Sequence, residues 1–448
     1  MKNLYSPCFA SRSKCLLKAS VGAIAIAGLF VIASAQVTVR ASVADNEAEA
    51  AGASTQARVN TLDGRYVAFV SSAPNLVPGY GITTHAQVYR RDLVTGETIL
   101  VSKNFLGFEA NADCANPSIS SSGQWVVYSS DATNLSGTDS GLYRDVFRCD
   151  ITTGATLRIS EDNSGVEGNG VSNSASMDST GNLVVFRSFA TNLAAGSNGF
   201  SQVLLRNVIQ GTTVVISKSA GGVTGDGDSG GFQPTITPNG RYVGFSSRAG
   251  NLVSGDTNGN WDVYLCDLQT NSMKRVSLPT NGAQYFGISH TSAVSDNGRY
   301  VAFASINAFN INDTNNTYDV FLRDTVSNTL TRVSNTTAGK SCNGASGDSE
   351  GWGICISGDG LSIAFESLAS NLVKNGDNNG FEDIFVKNLS NGKTTLVSVA
   401  TNGVSGNGAS FTPSISSNGY ISFVSDASNL ISGDTLGYQD VFVRGPAR

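Results

Sequence analysis

The chain has 448 residues, a net charge of −6, only 14% charged residues, 50 glycines and two histidines. The acidic balance argues against nucleic acid or an anionic membrane surface as partner, and no Cys/His spacing suited to a metal occurs. Sparse charge, abundant glycine and recurring short apolar runs indicate an all-β chain rich in turns, not a disordered one.

Residues 1–35 read as a signal peptide. Lys2, Arg12, Lys14 and Lys18 form a basic start without acids, Val21 to Ala33 is an apolar run, and Ala33-Ser34-Ala35 is a small-x-small cleavage site. The run is shorter than the roughly 20 residues of a transmembrane helix. The expectation is export to periplasm or extracellular medium, with no membrane span after cleavage. Losing four positive charges from −6 leaves residues 36–448 at −10.

The remainder is repetitive. A turn glycine precedes a hydrophobic strand at Gly64, Gly123, Gly181, Gly240, Gly298, Gly360 and Gly419. An Asn followed by an aliphatic residue keeps step at Asn75, Asn134, Asn192, Asn251, Asn310, Asn371 and Asn429. Each repeat holds four strand-like runs. In the fourth these are Pro234–Thr237, Tyr242–Ser246, Asp262–Leu265 and Lys274–Ser277, named A to D below. A period near 60 with four strands predicts seven propeller blades. The last repeat stops without a strand D. Val37-Thr38-Val39-Arg40-Ala41-Ser42 resembles the strand D Leu330-Thr331-Arg332-Val333-Ser334. The N-terminal strand is therefore expected to complete the last blade, giving a closed, seven-bladed β-propeller over 36–448 with no exposed sheet edge.

Runs such as Pro413-Ser-Ile-Ser-Ser-Asn-Gly419 and Asp319-Val-Phe-Leu-Arg-Asp324 resemble the TolB-like, WD-type propeller repeat of bacterial exported proteins. The resemblance spans nearly all of 36–448 and implies the fold; such repeats serve many functions.

The A–B and C–D turns are short and share one face. The B–C and D–A loops are long and share the other, which is the expected binding surface. Trp261, Tyr285, Phe286 and Trp352 come from long loops of neighbouring blades; they are a candidate platform for a sugar ring or protein anchor, or small satellite cores under their loops. Gly227-Asp228-Ser229-Gly230-Gly231 matches two serine-nucleophile motifs. It lies between propeller strands, in neither the strand-turn-helix nor the double-barrel context those motifs need, so it reads as a turn. His85 and His290 fall in different blades and do not form one site.

Cys342 and Cys355 flank one loop and form the candidate disulfide. Five blades carry two aspartates six apart before and at the start of strand C: Asp139/Asp145, Asp256/Asp262, Asp313/Asp319, Asp377/Asp383 and Asp434/Asp440. Blades 1 and 3 lose both, with Gln87 and Gln202 at the second position. Two readings are open: hard oxygen ligands for Ca²⁺, or an Asx-turn followed by a strand cap. The expected function is a monomeric, non-enzymatic propeller binding a protein or glycan ligand through its long-loop face; the alternative is a lyase or hydrolase acting on polysaccharide.

Overall fold

The computed structural model describes residues 36–446, apart from 82–83, 138, 308, 310–312, 314, 348–352 and 375–376. The chain divides after Ala35, and the segment read as a signal peptide lies outside the described residues. Among those described, no helix is long and apolar enough to cross a membrane.

Residues from Gln36 onward form seven four-stranded antiparallel sheets, an all-β propeller. Blade 1 runs Ser54–Val59, Tyr66–Ser71, Gln87–Asp92 and Glu97–Leu100, hydrogen-bonded in that order, and blades 2 to 6 repeat it. Blade 7 comprises Ser410–Ile415, Ile421–Ser425 and Asp440–Gly445, and Val37–Arg40 supplies its fourth strand, in register from Val37↔Gly445 to Arg40↔Phe442. The expected closure is present. Strands A touch one another around the ring and line the axis, which leaves the D strands at the rim.

The core consists of seven wedges between blades, each built from residues of two neighbours. Strands B and C are therefore covered on both faces. In Tyr242–Ser247 every residue after the first is buried, as in continuously apolar central strands. Six blades carry a cross-strand aromatic pair between B and C, such as Phe69–Tyr89, Phe303–Phe321 and Phe423–Phe442, with centroids 5.8–6.1 Å apart; blade 3 has Phe186 opposite Leu204. The A–B turn glycines have positive φ, and Gly64, Gly123, Gly181, Gly240, Gly298 and Gly360 crowd a side chain of the preceding blade. A Cβ on Gly298 (φ 70°) would stand 2.6 Å from the Tyr242 ring, and one on Gly123 2.2 Å from that of Tyr66.

Strand A is the irregular element. In five blades it bulges at a left-handed residue on the axis side: Gln56, Asn116, Ser174, Thr291 and Thr412. Blade 4 departs further. The stretch from its first ladder serine to its turn runs 229–237, against 289–295 in blade 5, and only Thr235–Ile236 remain paired, fewer than the expected Pro234–Thr237. The extra length is Gly230-Gly231.

Candidate functional site

The long-loop face is stitched together by a recurring set of polar side chains. The Asn of each repeat lies in the B–C loop and pins the preceding D–A loop. Asn251 Nδ2 donates to Thr224 O at 2.9 Å, its Oδ1 accepts from Asp226 N, and Asn134, Asn192, Asn371 and Asn429 do likewise; Asn310 lies outside the described residues. A serine at the start of strand A meets the last serine of strand B: Ser54–Ser71, Ser172–Ser188, Ser289–Ser305, Ser410–Ser425. Ser229 is the blade 4 member of this ladder. It is fully buried and hydrogen-bonded to Ser247 at 2.8 Å, while Asp228 accepts from Ser201. The serine-protease-like motif is thus one rung of a repeated ladder, closed to substrate.

The second aspartate of each pair has one constant partner. Asp145, Asp262, Asp319, Asp383 and Asp440 each accept from the serine ending strand D, namely Ser160, Ser277, Ser334, Ser398 and Ser42, at 2.5–2.6 Å. That serine in turn accepts the N–H of the residue after the aspartate. The cap differs from the one expected: the serine hydroxyl, not the aspartate, accepts the strand C N–H, and the aspartate holds the serine. Gln87 and Gln202 present an amide oxygen to Ser102 and Ser217 in the same way. The first aspartate makes an Asx-turn at Asp139 with Gly141 N and at Asp313 with Asn315 N. Asp256 instead accepts from the Tyr264 hydroxyl.

The cation beside these pairs differs by blade, and sequence reading missed it. The residue two before the strand D serine is Arg40, Arg158, Arg275 or Arg332 in blades 7, 2, 4 and 5, and Leu396 in blade 6. Arg275 stands 2.9 Å from Asp256 and 3.2 Å from Asp262. Arg332 lies 3.8 and 3.6 Å from Asp313 and Asp319. Arg40 reaches Asp440 and Glu49 at 2.9 Å and Asp434 at 3.7 Å. Arg158 is placed otherwise, 3.3 Å from Glu167. Burial pushes Asp145 up to about 7 and Asp383 up to about 6, the nearby Asp139 and Asp377 adding to each shift.

A second feature missed in sequence is how the B–C loop is tied to the following D–A loop. Blades 3 to 6 use an Asn that donates to a D–A carbonyl: Asn198, Asn258, Asn315 and Asn379. Blades 1, 2 and 7 use a D–A glutamate that accepts from the B–C backbone: Glu109, Glu167 and Glu49. The glutamates lie far from the aspartates in sequence, so only a comparison of D–A loops at matched register would have found them.

Among the described residues, Trp261, Tyr285 and Phe286 make no ring contact with one another. Tyr285 packs on Phe309 at 5.3 Å in the wedge between blades 4 and 5, as a satellite core does. Phe286 is exposed, and Trp352 lies outside the described residues. Trp261 joins a different group. It meets Phe232 edge-on at 5.8 Å; Phe232 stacks on His290 at 4.4 Å; His290 meets Tyr318 at 4.8 Å; and the Arg248 guanidinium lies 5.4 Å from the Trp261 ring. The Gly230-Gly231 insertion makes room, since a Cβ on Gly231 would stand 2.3 Å from Trp261 Cη2. His290 is buried, pushed down to about 4 by that burial, and its Nε2 has no hydrogen-bond partner.

The expected disulfide is corrected: Cys342 and Cys355 are both free thiols. Cys342 is buried between blades 5 and 6 with its Sγ 3.0 Å from Asp319 Oδ1. Cys355 lies in strand A of blade 6 and packs toward blade 7. The two thiols occupy different wedges.

No protein-family model matches the sequence, and no curated protein matches it. Solved structures do. The chain is similar to a puromycin-hydrolysing peptidase of Mycobacterium tuberculosis, at 9% identity and TM-score 0.52, over 90% of this chain and 56% of that one. It is also similar to the β-propeller domain of the Trilobed protease from Pyrococcus furiosus, at 9% identity and TM-score 0.51, over 88% and 95%. TolB from Acinetobacter baumannii follows at 14% identity and TM-score 0.41, over 74% of this chain and 63% of TolB. At 9% identity the likeness to the first two is one of fold. The Pyrococcus domain has an open velcro topology, whereas this ring is closed by Val37–Arg40.

Proposed function

We propose that this protein is a non-enzymatic binding propeller whose ligand, a glycan, stacks at the blade 4–5 sector of the long-loop face. One observation carries the reading: the repeat is broken by Gly230-Gly231 where Phe232, Trp261, His290 and Tyr318 assemble beside the exposed Arg248. Partly exposed aromatic rings with one or two polar groups suit the apolar face and hydroxyls of a pyranose. Export, expected from residues 1–35, would bring such a protein into contact with envelope or extracellular polysaccharide.

The test is a glycan array with wild-type protein, Trp261→Ala and Arg248→Ala, folding checked by circular dichroism. Saccharide binding weakened about tenfold or more by Trp261→Ala is expected. Binding untouched by either change would overturn the assignment of the site. Turnover of a bound polysaccharide would overturn the non-enzymatic reading. Capture of a protein, with no glycan bound, would make the ligand a protein.

A further inference from the structure

We infer that blade 2 carries a divalent-cation site, selective for Ca²⁺, formed by Asp139, Asp145 and Glu167. The three residues each offer a carboxylate oxygen, all within 4.8 Å of one another. That spacing fits oxygens sharing one ion at the roughly 2.3–2.6 Å of Ca²⁺ ligation. An independent observation points the same way. Asp145 is 1% exposed, its Oδ1 accepts from Ser160, and its Oδ2 is buried with no hydrogen-bond partner. A buried carboxylate oxygen left without donor or cation is costly.

The other blades show what is different here. Orphaned carboxylate oxygens also occur at Asp319 and Asp434, but each faces a guanidinium, 3.6 Å from Arg332 and 3.7 Å from Arg40. In blade 2 Arg158 pairs with Glu167 at 3.3 Å, and among the described residues no ion pair within 4.0 Å joins a basic group to Asp139 or Asp145. Three carboxylates face the single positive charge of Arg158, and a divalent ion brings the group to neutrality. The ligands are held in place beforehand. Glu167 accepts from Ser140 N and Oγ at 2.8 and 2.7 Å, and Asp139 accepts from Gly141 N at 2.9 Å. Ca²⁺ is favoured over Mg²⁺ because two loops supply the oxygens, an arrangement that tolerates irregular geometry where Mg²⁺ demands a near-ideal octahedron.

The experiment is calorimetric titration of residues 36–448, stripped with chelator, with CaCl₂ and separately MgCl₂, alongside melting curves. Wild type should bind one Ca²⁺ more tightly than Mg²⁺ and melt several degrees higher with Ca²⁺. Asp145→Asn and Glu167→Gln should each weaken binding at least tenfold. The asparagine still offers Ser160 an acceptor, as Gln87 and Gln202 do in their blades, so Asp145→Asn should fold. Asp377→Asn, in the other blade whose pair has no guanidinium, should bind as wild type does. No heat and no shift with millimolar Ca²⁺, binding that survives both blade 2 changes, binding lost only in Asp377→Asn, or tighter binding of Mg²⁺ would each overturn the inference.

Discussion

At the scale of single residues, the chemistry of this face is that of buried carboxylates held by serine hydroxyls. Asp383 is the clearest case. It is fully buried, and Leu396 stands where other blades place an arginine. Burial pushes it up to about 6, against roughly 3.9 in the unfolded chain. The folded state holds the proton more tightly, so this contribution is complete below about pH 4 and lost as pH rises through 6. It amounts to about 2–3 kcal/mol. Urea unfolding at pH 5 and pH 7.5 should show wild type losing stability over that interval, with Asp383→Asn losing correspondingly less. Equal losses in the two proteins would count against a raised carboxyl. The thiols give a second test. Burial pushes Cys114, Cys342 and Cys355 up to about 12 and Cys149 and Cys266 up to about 11. Native protein comprising residues 36–448 should react negligibly with a thiol reagent over minutes, show the five thiols of that segment after unfolding, and keep its melting temperature in reductant. A disulfide-linked peptide in a non-reducing digest would contradict this.

At the scale of the element, the A–B turn couples each blade to the one before. Gly298 serves twice, through a positive φ and through contact with the Tyr242 ring. Gly298→Ala should cost about 2–4 kcal/mol, part left-handed strain and part overpacking, measured as a lower urea midpoint. A change within about 0.5 kcal/mol would show that the ring yields. The turn glycines and strands were legible in sequence because a tight turn and a doubly covered strand restrict composition at every repeat. Strand A was less legible. Its bulges put Gln56, Thr291 and Thr412 in a left-handed backbone that their identities do not announce. The Gly230-Gly231 insertion was visible, yet its purpose was not, because Trp261 fills that space from another loop. The pairing of Asp139 with Asp145 was legible from spacing; the addition of Glu167 was not, because it crosses from the next D–A loop.

At the scale of the whole molecule, each core wedge belongs to two blades, so stability is shared around the ring. Deleting residues 37–42 removes the fourth strand of blade 7, the Ser42 bond to Asp440 and the Arg40 contacts with Asp434, Asp440 and Glu49. The truncated protein should aggregate through the bared Asp440–Gly445 edge or melt many degrees lower. Hydrogen exchange should also quicken in blade 3, which the deleted strand does not contact. Faster exchange confined to blade 7 would mean that the blades open independently.

Repetition is what the sequence by itself determined: seven blades, four strands in each, a ring closed by its first strand, and one face of long loops. These follow from local patterns copied around the chain, where every copy faces the same turn, pleat and neighbour. The tertiary structure alone decided which side chains of different copies meet. It separated Cys342 from Cys355, buried Ser229 in a ladder, drew Tyr285 under its loop and Trp261 onto Phe232, and gave some aspartate pairs a guanidinium and others none. Those outcomes turn on differences of a few ångströms between neighbouring loops, and a one-dimensional repeat carries no such distances.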